Sequence, residues 1–213
     1  MRANAFNTVA RAGMLLLAVA GTGCGQYVRD SGRAPAQPII LALQGASGAQ
    51  PDKFSGTVQS DVLTYVNKTI GTEQIRVPTV FNDFGAVTMR LILKDPGAAG
   101  SVTLPTPINQ VTFTRYTVTY SRSDGRNTPG VDVPYPLDGG LTFTAQSDKD
   151  VSAVFELVRH TAKEDAPLRA LITNPVIIST VAQVTFYGRD QAGNDVSVTG
   201  RISVDFGDFG DPS

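Results

Sequence analysis

The sequence predicts an all-β fold, an antiparallel β-sandwich, on three observations. Apolar and polar residues alternate along several short stretches, glycine- and proline-rich turns separate those stretches, and no long helical pattern comes between them. With 21 glycines and 13 prolines in 213 residues, there are turn residues enough to delimit many short strands. The chain is long enough to enclose a core without disulfides, and its single cysteine can form none within the chain.

The elements follow in chain order. PIILAL, residues 38–43, is a short aliphatic run after a proline, closed by QGASGAQPD; it reads as the first strand and sets the start of the folded domain near Gln37. In GAVTMRLILKDPG, Val87, Met89, Leu91 and Leu93 share one face while Thr88, Arg90 and Lys94 take the other. Asp95, Pro96 and Gly97 end that strand, since proline cannot donate to the ladder. In VTFTRYTVTY the apolar set moves from Val111 and Phe113 to Tyr116, Val118 and Tyr120. This switch from odd to even positions predicts a β-bulge or strand break at Thr114 and Arg115.

Two further strands are expected at GLTFTAQ, residues 140–146, and VSAVFELVR, residues 151–159. HTAKEDAPLRALI, residues 160–172, carries helix formers, but Pro167 divides it and leaves room for one short helical turn. The last two strands, QVTFYGRD and NDVSVTGRISVDF, read as a hairpin with Gly193 or Asn194 at positive φ. Val196, Val198, Ile202, Val204 and Phe206 are its inward set; Ser197, Thr199, Arg201, Ser203 and Asp205 face out.

The N-terminal stretch has a different character. Arg2 and Arg11 stand without acidic residues, a short apolar run follows from Met14 to Ala20, and small residues come next, the three regions of an export signal. That run is far shorter than the roughly twenty residues a bilayer span needs. Two cleavage readings remain open. AVA, Ala18 to Ala20, suits general signal peptidase and leaves Cys24 as a free thiol. AGTGC, Ala20 to Cys24, resembles the lipobox of bacterial lipoproteins, with Gly21 in place of that family's usual large aliphatic residue. The resemblance implies that Cys24 is lipidated and becomes the new N-terminus, and it accounts for a lone cysteine in an oxidising compartment. Gly25, where aspartate would mark inner-membrane retention in some Gram-negative lipoproteins, implies the outer membrane if the host has one.

The expected organisation is a signal peptide over residues 1–23, a flexible tether over 24–36, a β-sandwich domain over 37–207 and an acidic tail over 208–213. The domain resembles a bacterial immunoglobulin-like or fibronectin-III-like module in its succession of short strands, without the disulfide cysteines and core tryptophan of antibody domains. Such a likeness implies architecture and says little about function. Loss of residues 1–23 removes Arg2 and Arg11 and no acid, taking the formal charge from −1 to −3. That balance argues against nucleic acid as a partner, because phosphate binding needs a concentrated basic face.

Most catalytic devices lack their parts. Nucleophilic triads and zinc sites need histidines and cysteines, and the chain offers only His160 and Cys24. Carboxylates are numerous: Asp83, Asp132, Asp138, Glu156, Glu164 and Asp165 are the candidates for two-acid hydrolysis, although acids at turns and on solvated faces are the simpler reading. Asp190, Asn194 and Asp195, and the tail acids Asp205, Asp208 and Asp211, are the candidate calcium ligands; a hairpin turn and a solvated tail are again simpler. The longest irregular segment, residues 121–140, offers Arg122, Arg126, Asn127 and Tyr135 as a recognition surface. Val131, Val133, Tyr135 and Leu137 are the residues expected to pin it. The reading these observations favour is a non-enzymatic envelope lipoprotein that presents an immunoglobulin-like module for protein interaction or assembly. No cofactor or metal is assigned; the partners are the membrane, through the lipid, and an envelope protein. The alternatives are a carbohydrate-binding or adhesive module stabilised by calcium, and a carboxylate-based hydrolase.

Overall fold

Period-two alternation runs through four of the five longest strands, and each of those four buries one face. In the computed structural model, which describes residues 32–210, the chain is all-β with twelve strands and only short helical turns. Cys24 and the apolar run before it lie outside the described residues. The first sheet has the order β1 (Ala36–Ala46), β5 (Asp83–Leu93), β10 (Val151–Val158), all antiparallel. The second has the order β2 (Thr57–Asp61), β12 (Asp195–Gly207), β11 (Ile178–Asp190), β8 (Val111–Ser121), β9 (Leu137–Ala145). There β2 runs parallel to β12 and the other neighbours are antiparallel. Two small hairpins complete the strands, β3 (Thr64–Ile70) with β4 (Glu73–Thr79), and β6 (Gly97–Ala98) with β7 (Ser101–Val102).

The buried faces of both sheets form one core. Val87, Met89 and Leu91 from β5 meet Phe113, Tyr116 and Val118 from β8, Val184 and Phe186 from β11, and Val204 and Phe206 from β12. At its centre Phe155 of the first sheet packs edge-on against Tyr116 and Phe186 of the second, with ring centroids 5.0 and 5.3 Å apart. This aromatic cluster fills the middle of a core that contains no tryptophan. Tyr120 ties the sheets together by donating its hydroxyl to the Leu157 carbonyl at 2.6 Å, and burial pushes its phenol far up from the ordinary range. Ala34 and Ala36 are also buried, so the packed body begins a few residues ahead of Gln37.

The register follows the sequence pattern closely. Against β11 the pairing of β8 passes from Arg115 with Tyr187 to Phe113 with Gly188, which leaves Thr114 as the extra residue of a bulge, and on the other side the β8–β9 register shifts at the same place, with Leu141 and Thr142 of β9 set against Thr114. β11 and β12 pair from Ile178 with Phe206 to Arg189 with Asp195, around a turn in which Gly193 holds φ of 84°. Residues 160–172 form more helix than the single turn expected: α1 (His160–Glu164) and a 3-10 turn (Leu168–Ile172) flank Pro167. The second turn is held by burial of Leu168 and Leu171, which the local pattern does not reveal.

These pairings give the molecule two ends. At one, Ala36 pairs with Leu93, and the β11–β12 turn and the segment from β5 to β8 gather. At the other, Asp61 pairs with Gly207, Ser121 with Val181, and Val158 with Asp83.

Candidate interaction surface

The second end, remote from where the chain enters the body, carries two features that lie largely outside the core, the β3–β4 hairpin and the irregular segment between β8 and β9. The β3–β4 hairpin leaves between β2 and β5, and every residue from Tyr65 to Arg76 is exposed. Its pairing sets Val66 opposite Val77 and Lys68 opposite Ile75, so Val66, Ile70, Ile75 and Val77 share one face of the arm. Arg76 stacks over the Tyr65 ring on the other face, 5.2 Å from its centroid. A two-stranded hairpin is marginally stable alone in water, and this one leaves Val66, Ile70 and Ile75 exposed on a face they share with Lys68 and Glu73.

The roots of the arm are held firmly. Lys163, on α1, is buried, and its Nζ donates to the Asp61 carbonyl and to Asp83 Oδ1, both at 2.8 Å. Asp61 precedes the arm and Asp83 follows it, so one ammonium clasps both feet. The Gly48 amide donates to the same Asp83 oxygen at 2.9 Å, while the Asp61 carboxylate accepts from Thr64 Oγ1 at 2.7 Å and from the Phe209 amide at 3.0 Å. Asp83 Oδ2 and the Ser60 hydroxyl are buried without a hydrogen bond of ordinary geometry, although Ser60 is near enough to favour the carboxylate. Burial outweighs the Lys163 ammonium, Ser60 and Gly48 together, and the Asp83 carboxyl is raised from its ordinary value. A cavity of about 390 Å3 opens beside these roots, lined by Lys53, Phe54 and Gln59 and closed by Asp61 and Phe209.

The irregular segment between β8 and β9 sits at the same end. Asp124 holds two arginines: Arg122 reaches its carboxylate at 2.7 Å and Arg126 at 2.9 Å, which keeps Asp124 well below the usual carboxylate range. Asn127 Oδ1 accepts from the Arg122 amide at 2.6 Å. Arg122, Arg126 and Asn127 are thus one cluster whose cations already have an acid. Tyr135 stands apart from them over Gly130, whose φ of 76° and lack of a Cβ let the ring lie against its backbone. There it borders a cleft of about 150 Å3 with Arg159, Thr161 and Asp165. Of the four residues expected to pin the segment, Val133 and Leu137 are buried, whereas Val131 and Tyr135 are exposed. The turn in which Thr128 O accepts the amides of Val131 and Asp132 breaks the alternation on which that expectation rested.

Four of the six candidate acids meet cations or backbone. Asp83 is with Lys163, Asp138 with Arg115, and Glu156 with Arg159, while Asp132 accepts the Thr128 amide. In the hairpin turn the Asp190 carboxylate accepts the amides of Ala192 and Asn194 and the Asn194 side chain, at 2.8 to 2.9 Å, and Asp195 pairs with Arg189. His160 hydrogen-bonds Asn82 Oδ1 through both its backbone amide and its Nδ1.

Sequence reasoning passed over the arm and its clasp. The arm had a readable signal, since alternating Val66, Lys68, Ile70 and Ile75, Val77 flank Gly71-Thr72, a two-residue turn with Gly71 at φ 65°. The clasp had none, because Lys163 and Asp83 lie 80 residues apart. Fold and surface together define an all-β protein with two sheets around one core and a projecting arm. No family model, curated protein or solved structure matches the chain.

Proposed function

We propose that this protein is a cell-envelope lipoprotein, anchored through Cys24, whose immunoglobulin-like module presents the β3–β4 arm to a protein partner. The strand order supports the module. In immunoglobulin terms β1, β5 and β10 take the places of strands A, B and E, while β12, β11, β8 and β9 take those of G, F, C and C′. β2 is then the continuation of strand A that crosses to pair in parallel with G. The arm is an insertion between A and B. The observation that carries the interaction reading is the arm itself, an exposed apolar face on clasped roots at the end away from where the chain enters. Lipidation at Cys24, export and an outer-membrane address rest on residues 1–24 of the sequence.

Two experiments test this reading. A fatty-acid analogue supplied to cells labels the wild type and not Cys24→Ser, which leaves the membrane fraction folded; equal label on both overturns the anchor. A photoreactive residue at Ile70 gives discrete protein adducts in cells, whereas one at Thr199, exposed on a sheet face, does not. Adducts no more frequent at position 70 than at 199 overturn the partner surface. The carbohydrate alternative has one feature in its favour, Tyr135 beside the Arg159 and Asp165 cleft, and predicts that Tyr135→Ala abolishes glycan retention.

A further inference from the structure

The end at which the chain enters carries a second exposed apolar surface, unrelated to the arm. From Pro96 to Val111 the sequence contains no charged residue. The segment comprises the β6–β7 hairpin, residues 103–106 and the 3-10 turn Pro107–Asn109, and every residue from Lys94 to Ile108 is exposed. Leu104 and Val102, at 74% and 70%, are the two most exposed large apolar side chains among the described residues, and Ile108 is 60% exposed. The segment is ordered by its own backbone: the Thr103 amide donates to Pro96 O at 3.0 Å, and Asn109 Oδ1 accepts from the amide and hydroxyl of Thr106, both at 2.9 Å. An ordered, uncharged protrusion tipped by aliphatic side chains is costly to leave in water and well suited to the boundary between lipid headgroups and acyl chains.

Its position names the occupant. The Lys94 amide donates to Pro35 O at 3.0 Å and Lys94 Nζ to Gly32 O at 3.3 Å, so the segment starts beside the point where the chain enters the body. Seven residues lie between Cys24 and Gly32, a distance of eight Cα-to-Cα steps. Whatever their path, they span no more than about 28 Å when fully extended. We infer that residues 96–110, led by Val102, Leu104 and Ile108, dip into the surface of the lipid bilayer that holds Cys24 and stand the module upright on it. The inference rests on the lipid anchor proposed above. Attachment makes the encounter intramolecular, so three aliphatic side chains suffice where they would not recruit a free protein. The arm, rooted at the opposite end, then faces away from the membrane.

The chain has no tryptophan, so one introduced at Leu104 is the sole indole reporter. The core runs from Ala34 to Phe206, and a chain beginning at Cys24 keeps all of it. That chain, with Leu104→Trp, is coupled through the Cys24 thiol to a maleimide phospholipid in phosphatidylethanolamine–phosphatidylglycerol vesicles. Expected are a shift of tryptophan emission to shorter wavelength on coupling and quenching by brominated acyl chains. Asn127→Trp, at the far end, shows neither, and adding Val102→Asp and Ile108→Asp removes both effects from the Leu104→Trp chain. Emission from position 104 that stays at its aqueous wavelength, or moves no further than that from position 127, overturns the inference. The maleimide supplies the anchor whether or not cells acylate Cys24, so this outcome is separate from that of the labelling experiment.

Discussion

Lys163 and Asp83 are the most consequential side chains outside the apolar core. Both are buried, at 1% and 0% exposure, and Lys163 Nζ donates to Asp83 Oδ1 across 2.8 Å. Lys163→Met strands a carboxyl in the interior and should cost about 3–5 kcal/mol, while replacing both by apolar residues of similar size should cost much less. Urea unfolding of the single and double variants checks this; a double variant no better than the single would assign the cost to packing. The pair also sets a pH dependence. Burial raises Asp83 from 3.8, so the folded chain keeps that proton to higher pH than the unfolded chain does. The group's stabilising contribution is complete below 3.8 and is lost as pH rises through the higher folded value. Stability measured relative to Asp83→Asn should therefore fall as pH is raised across that window; a rise would mean that the ion pair outweighs burial. Asp124 runs the other way, since its arginine partners lower it and their support disappears on acidification.

Strand β12 shows what an element contributes. Val204 is fully buried between Thr180 of β11 and Val58 of β2, and Thr199 is exposed, sharing a 2.9 Å hydroxyl contact with Thr185. Val204→Asp forces a carboxylate into the core and should cost several kcal/mol or compel protonation. Thr199→Asp loses one exposed hydrogen bond and should cost about 1 kcal/mol or less. Thermal unfolding of the two variants separates them; equal losses would contradict a strand buried on one face. The bulge at Thr114 follows the same logic in β8. It brings Val111 and Phe113 on one side, and Tyr116, Val118 and Tyr120 on the other, to the same buried face despite opposite parity.

At the scale of the whole molecule, the core and the projecting parts are separable. The arm buries nothing between Tyr65 and Arg76, and Thr64 pairs with Thr79 at its foot. Replacing residues 65–78 with a two-residue Asn-Gly turn closes the hairpin at that pair and should leave the melting temperature within a few degrees of the intact chain, while abolishing the adducts of the exposed arm. Loss of cooperative unfolding in this deletion would place the arm within the folding unit. The two ends divide the labour proposed for the protein: the chain enters beside the apolar segment around Leu104, and the arm and the Arg122 cluster stand at the other end.

The sequence by itself determined what depends on near neighbours. Side chains alternate across a strand with period two, so the buried faces of β5, β8 and β12, the extra residue at Thr114 and the turn at Gly193 could all be read from local order. Cys24 and the apolar run before it are likewise legible only there. Tertiary structure alone decided which strands are neighbours, because an alternating strand satisfies its pattern against any partner of matching face. It decided that Lys163 is buried, since that requires an acid brought from 80 residues away. It decided too that Tyr135 points outward while Val133 turns in, and that one uncharged loop lies beside the point where the chain enters. These are outcomes of contacts distant in sequence, and no local pattern encodes them.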